Sequence, residues 1–277
     1  MARSVPSIEG LRAALVAETD ESRVDGYYLA VARLARETLD ADGAPRIVIV
    51  SGPQGSGKST LSSAVVRAFS RLGVAALTFS IDDFYLTRAE QLALAARHPD
   101  TPYLEHRGYP GTHDVALGNR VLDDLRNGRA LKLPRYDKSA CGGRGDRAPE
   151  STWTTIDEPQ RLIVFEGWML GFTPVDEASL EGWMRAPNEL LAHYEAWNRN
   201  DAFVLLEAID PSFIVSWRVD SERARRMRGE TALTDEEARD YIERFLPAYA
   251  LYVAPLARSL GPRALHFRLG EDRLPHR

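Results

Sequence analysis

A doubly wound α/β fold, a mostly parallel sheet with helices on both faces, is what this sequence predicts. Three observations predict it. Four short runs, at residues 46–50, 74–81, 161–165 and 202–209, are mostly apolar instead of alternating, the pattern of strands buried on both faces. Segments of helical spacing lie between them. The first run passes directly into a glycine-rich turn, SGPQGSGKST at residues 51–60, and from there into a helical pattern.

The elements follow in order. Val24, Tyr27, Tyr28, Val31, Leu34, Ala35 and Thr38 share one face of a helix over 22–39, which Asp42-Gly43-Ala44-Pro45 ends. Strand one occupies 46–50. A helix after the glycine turn runs to about Leu72, where Gly73 stops it. Val74–Ile81 reads as the second strand. Thr87 and Glu90 form a capping-box pattern that opens a helix to about Arg97. Residues 98–113 read as loop, Asp114 to about Asn127 as helix, and 136–160 as a long loop. Such a loop in a compact domain is functional or unstructured. Arg161–Phe165 and Ala202–Ile209 are further strands. Asp210-Pro211 opens a helix to about Arg228, Thr234–Glu237 caps a last long helix to about Tyr252, and Arg263–Arg268 is a final strand.

The glycine turn carries chemistry. Gly52, four residues and then Gly57-Lys58-Ser59 fit the phosphate-loop pattern in the strand-to-helix setting that the pattern requires. Glycines at 52, 55 and 57 allow backbone angles that turn successive N–H groups inward, and the following helix adds its positive N-terminal end. Gln54, Ser56 and Thr60 belong to the same cradle. Lys58 reaches the β- and γ-phosphates, and Ser59 offers its hydroxyl to Mg²⁺. The expected ligands are therefore ATP and Mg²⁺, and the fold is that of the P-loop NTPases.

Composition narrows the classes. The chain has 277 residues, 44% hydrophobic and 27% charged, with net charge −5, which suits a globular α/β chain and disfavours a large nucleic-acid surface. No apolar run approaches the ~18 residues of a membrane span. The opening MARSVPSIEGLRAAL lacks an apolar signal core. One cysteine, Cys141, excludes an internal disulfide and a cysteine metal cluster. The expectation is a cytoplasmic protein with a small-molecule partner, and neither nucleic acid nor membrane.

Ligands bind at the carboxyl ends of parallel strands. Strand one ends in the phosphate loop, strand two in Asp82-Asp83-Phe84-Tyr85, and the strand at 161–165 in Glu166. Acids also cap helices, but two acidic strand ends beside a phosphate loop point to a metal ligand and a base for an acceptor hydroxyl. No D-x-x-G follows the third strand, and Asn198-Arg-Asn-Asp201 precedes a strand instead of following one, so a GTPase switch is not supported. Arg218, Arg223, Arg225, Arg226 and Arg228 can form a helical lid whose guanidinium groups meet the transferring phosphoryl, although several of them belong to a solvated helix face.

Further blocks carry a resemblance. They are Asp82-Asp-Phe-Tyr-Leu-Thr87, Arg107-Gly-Tyr-Pro-Gly-Thr-His-Asp114, Pro134-Arg-Tyr-Asp-Lys-Ser139, Gly143-Arg-Gly-Asp-Arg147, Glu166-Gly-Trp-Met-Leu-Gly-Phe172 and Phe245-Leu-Pro-Ala-Tyr249. With the phosphate loop, over residues 45 to 255, the chain resembles the plant-type D-glycerate 3-kinases, P-loop kinases allied to uridine kinase, pantothenate kinase and phosphoribulokinase. The resemblance implies that Asp82 is the general base and that Glu166 lies near metal and acceptor, with Ser59, Asp82 and Glu166 as metal ligands and Lys58, Asp82 and Glu166 as the catalytic set. It implies acceptor contacts from Asp83, Tyr85, Arg107, His113, Asp114, Tyr136, Lys138 and Arg144. A carboxylate on the acceptor suits Arg107, Lys138 or Arg144, whereas simple packing would account for Tyr136 and a loop salt bridge for Arg147.

The expectation is then one kinase domain over 1–277, with a helical extension at 1–44 and a lid at about 218–235, bearing Arg218, Arg225 and Arg226. Its reaction is ATP-dependent phosphorylation of a small hydroxyl acceptor, D-glycerate first. The alternatives are another hydroxyl metabolite (a nucleoside, pantothenate or a sugar) and a nucleotide-binding regulatory protein without turnover.

Overall fold

Ile47, Val48, Ile49 and Val50 are wholly buried, because the strand that carries them, β1 (Arg46–Ser51), has a neighbour on either side. The computed structural model describes residues 5–39 and 43–276. They divide into two compact units: residues 5–39, 43–79, 160–170 and 200–276 form the first, and 80–159 with 171–199 the second.

The first unit holds a five-stranded sheet in the order β2 (Ala76–Ser80), β7 (Leu162–Gly167), β1, β8 (Ala202–Ala208) and β9 (Ala264–Leu269). β1 pairs in parallel with β7 and β8, and β8 with β9. Chain order reverses beside β1, so the crevice beyond its carboxyl end is where a doubly wound sheet takes ligand. Burial of Leu162, Ile163, Val164 and Phe165, and of Val204, Leu205 and Leu206, explains the unbroken apolar stretches within these strands.

The helices of this unit are α1 (Ile8–Val16), α2 (Leu29–Thr38), α3 (Lys58–Arg71), α7 (Pro211–Met227), α8 (Asp235–Glu243) and α9 (Leu246–Ser259). Glu21–Arg23 and the π-helical Val24–Tyr28 lead without a break into α2. The single last helix expected from Thr234 to Tyr252 is two helices. Pro247 stands in the first turn of α9, where its missing N–H costs nothing, and α8 ends before it. The capping box of Thr234 and Glu237 is present as expected.

The second unit is built on α4 (Arg88–Arg97), α5 (Val115–Arg126) and α6 (Arg185–Leu191), with several 3₁₀ turns. The stretch 136–160, expected as loop, holds one small antiparallel ribbon, β4 (Tyr136–Asp137) with β5 (Asp146–Arg147), and the strand β6 (Thr154–Ile156), which pairs antiparallel with β3 (Leu131–Leu133) just before it. Strands of two or three residues show no periodicity for a sequence pattern to register. An aromatic cluster fills this unit's core, where Trp197 is wholly buried against Phe84, with ring centroids 5.3 Å apart. Among the described residues, no helix is long and apolar enough to cross a membrane.

Candidate active site

The phosphate loop joins β1 to α3. Gly57 caps α3 in the left-handed region at φ 90°, and Gly55 has φ 79°. A Cβ on Gly55 would also lie 2.7 Å from that of Trp217, so this turn has no room for a side chain. The loop is held from three sides. Gly52 N–H donates to the Gly167 carbonyl at 3.3 Å, the Tyr249 hydroxyl donates to Gln54 Oε1, and Arg273 Nε donates to the Gly55 carbonyl at 2.8 Å.

Three side chains of the loop fit a nucleotide's phosphates and their metal ion. Lys58 is buried and its ammonium donates to the Pro53 carbonyl at 2.9 Å, folded back over the cradle it belongs to. The Ser59 hydroxyl donates to Glu166 Oε1 at 2.8 Å. A hydroxyl and a carboxylate side by side are the hard oxygen donors that a magnesium-like ion prefers. The buried Ser56 hydroxyl has no partner among the described residues. A cavity of about 460 Å³ opens on this loop, lined by Gly55, Gly57, Lys58, Ser59 and Thr60, and by Arg23, Asp220, Ser221, Ala224 and Arg273. Three cations against one acid suit a polyphosphate. The last five residues had no sequence signal, since Arg23 and Arg273 lie far from the loop in the chain.

The second unit gathers most of the other expected site residues. Asp82 and Asp83 follow β2 on a 3₁₀ turn. Asp83 caps that turn, accepting the Ser80 N–H at 3.1 Å. Asp82 Oδ2 receives the Lys138 ammonium at 2.5 Å, and the Tyr85 hydroxyl also bonds to its carboxylate. Burial pushes the Asp82 carboxyl up, but Lys138, Tyr85 and nearby His113 outweigh it and hold the carboxyl down to about 2. Burial depresses the His113 imidazole to about 3, against the pull of Asp82, so at neutral pH it is uncharged. The His113 ring stacks on Tyr85 at 4.5 Å.

The remaining candidates separate into two kinds. Arg107 lies over the Tyr136 ring, 5.7 Å from its centroid, and donates to the carbonyls of Gly143 and Arg144. Burial raises the Tyr136 hydroxyl above its usual value. Arg144 sits on the His106 ring nitrogens. By contrast Asp114 caps α5 and pairs with Arg147 at 3.1 Å, the salt bridge expected of Arg147. The arginines of α7 are paired as well: Arg218 with buried Glu222 at 2.6 Å, Arg225 with Glu222 and Glu230, and Arg226 with Asp235.

A family model described as phosphoribulokinase / uridine kinase matches residues 47–178. An uncharacterized kinase of Schizosaccharomyces pombe is 38% identical over 84% of this chain and 91% of its own length. The chain belongs to the phosphoribulokinase / uridine kinase family. Membership brings ATP and a metal ion with it, and a small molecule as the second substrate. A chloroplastic D-glycerate 3-kinase of Arabidopsis thaliana is 40% identical over 85% of this chain, which spans 55% of that relative's length. The solved structure of a D-glycerate 3-kinase from Cryptococcus neoformans superposes with a TM-score of 0.76 at 26% identity, covering 97% of each chain.

Proposed function

We propose that this family member transfers the γ-phosphoryl of Mg·ATP to a primary hydroxyl of D-glycerate, giving 3-phosphoglycerate and ADP. The observation that carries the reading is the Lys138–Asp82 pair, a carboxylate kept ionised with a cation beside it, in a chain 40% identical to a D-glycerate 3-kinase. The phosphate loop and Lys58 take the β- and γ-phosphates. Ser59 and Glu166 hold the metal ion, which when bound neutralises phosphate charge. Asp82 orients the acceptor hydroxyl and takes its proton as the oxygen–phosphorus bond forms and the bond to ADP breaks. A carboxylate as acidic as Asp82 is a weak base, and a loose transition state asks little of it before the proton is nearly free. Lys138 and Arg107 supply positive charge for the acceptor carboxylate. The exposed free thiol of Cys141 suits the reducing cytoplasm.

The test is ADP release with Mg·ATP and D-glycerate, with the product identified by mass. Lys58→Ala and Asp82→Asn are expected to lose about a hundredfold or more in kcat while remaining folded. Near-normal turnover by Asp82→Asn would remove it as the base. Turnover only with another alcohol would keep the kinase and discard glycerate, and phosphate transfer to none would favour a regulatory nucleotide binder.

A further inference from the structure

Two arginines line the cavity at the phosphate loop from opposite ends of the chain, Arg23 and Arg273. Both lie outside residues 47–178, the stretch that the family model matches. Arg273 is engaged within the protein, donating to the carbonyls of Gly55 and Trp217. The roles above leave Arg23 without a function.

We propose that Arg23 is a nucleotide-binding residue whose guanidinium pairs with the α-phosphate of ATP. The inference rests on the ATP-dependent chemistry of the family and holds whichever alcohol accepts the phosphoryl group.

The segment around Arg23 is built to hold it at the cavity. Asp20 caps the turn Glu21–Arg23 and fixes Arg23 twice: one carboxylate oxygen accepts its backbone N–H at 3.0 Å, and the other lies 3.2 Å from its Nε. The π-helical turn Val24–Tyr28 follows directly, with Val24, Tyr27 and Tyr28 buried, and single π turns inside helices cluster at functional sites. Tyr27 packs on Phe267 of β9, with ring centroids 5.3 Å apart. A Cβ on Gly26 would stand 3.7 Å from Leu274 Cδ2, so this segment also rests on the turn that carries Arg273. That turn is tight: Arg273 has φ 62°, in the left-handed region that few side chains adopt. The Arg273 N–H donates to the Gly270 carbonyl, and the Gly270 N–H to the Leu274 carbonyl, each at 2.9 Å. Both arginines are therefore presented to the cavity by fixed backbone.

The position of the cavity selects the phosphate. Lys58 serves the β- and γ-phosphates, and Ser59 with Glu166 serves the metal ion. Among the described residues that line the cavity, neither Glu166 nor Gln54 is found, whereas Thr60 and, from α7, Asp220, Ser221 and Ala224 are. The space thus extends past the first turn of α3, away from the metal and the transferring group. The α-phosphate lies on that side, and its charge is the one that Lys58 and the metal ion leave to another cation. A guanidinium can meet two phosphate oxygens at once. The Arg23 and Asp20 side chains are 31% and 55% exposed, so their pair is weak and a phosphate can share the guanidinium. The α-phosphate keeps its charge while the γ-phosphoryl moves. Arg23 therefore binds ground state and transition state alike, which sets KM and leaves kcat alone.

Calorimetry of the full chain with Mg·ADP tests this. Arg23→Ala is expected to weaken Mg·ADP about tenfold at low salt, with the gap narrowing in high salt, and Arg23→Lys to recover most of the loss. With D-glycerate as acceptor, Arg23→Ala is expected to raise the KM for ATP by the same factor with kcat unchanged. Unchanged Mg·ADP affinity in Arg23→Ala, or Arg23→Lys as weak as Arg23→Ala, overturns the proposal. So does a fall in kcat with Mg·ADP affinity kept, which would move Arg23 to the transferring phosphoryl. The Tm of each variant without nucleotide is expected to match wild type, and a weakened affinity that follows a lowered Tm in both would reduce Arg23 to a packing residue. Wild-type protein that does not bind Mg·ADP would overturn the nucleotide reading itself, a failure distinct from any difference between the variants.

Discussion

Replacing Lys138 by methionine isolates the charge that holds Asp82 ionised. The carboxyl stands at about 2, against an ordinary 3.8. Taken whole, that difference is worth about 2 kcal/mol. The Lys138 side chain is 56% exposed and that of Asp82 29%, so solvent screening leaves about 1 kcal/mol. The folded value lies below the unfolded one. The pair's contribution is therefore complete above about pH 4 and is lost as pH falls toward 2. In Lys138→Met burial acts with much less opposition, and the carboxyl moves upward. Urea denaturation of both proteins should show a gap of about 1 kcal/mol at pH 7 that narrows below pH 4 and shrinks in high salt. A carbon-13 titration of Asp82 should place its inflection higher in the variant. A gap that is the same at pH 3 and pH 7, or an unmoved inflection, would refute control of Asp82 by Lys138.

Arg273→Ala should weaken Mg·ADP binding about fivefold by calorimetry, since it removes the donor on the Gly55 carbonyl; unchanged affinity would mean that the phosphate loop holds its shape alone. Gly118→Ala would place a Cβ 2.1 Å from Trp197 Cζ2, and overpacking of about 1–3 kcal/mol should lower Tm; an unaltered Tm would show that the indole has room to move. Glu222→Ala strips a buried carboxylate from Arg218, Arg225 and the Leu233 N–H, and should cost about 2 kcal/mol in urea denaturation; a neutral result would make those pairs incidental.

The sheet was legible because its three inner strands are buried on both faces, which leaves mostly apolar runs such as 46–50 and 202–208 that no other element explains. Helix starts were legible where a side chain must satisfy a backbone donor, as Thr87 and Thr234 do in their capping boxes. The phosphate loop was legible because few sequences meet its backbone demands. The rest depends on contacts that sequence spacing does not encode. Lys138 meets Asp82 across 56 positions of chain, and Arg273 reaches Gly55 across 218. Tyr194 and Trp197 lie in a run of 3₁₀ turns without a readable period. Asp83 and Asp114, expected at the acceptor, serve as caps, a use that looks the same in sequence as a catalytic one.

The arginines of α7 have a consequence beyond closure. Between Arg218 and Asp235 five arginines stand among four acids, and three of the acids, Glu222, Glu230 and Asp235, are spent on them. The segment is therefore no polycation. A phosphate that draws one guanidinium must first displace a carboxylate, so recognition there is an exchange of anions. Exchange releases few counterions, and contacts made in this way should depend only weakly on ionic strength.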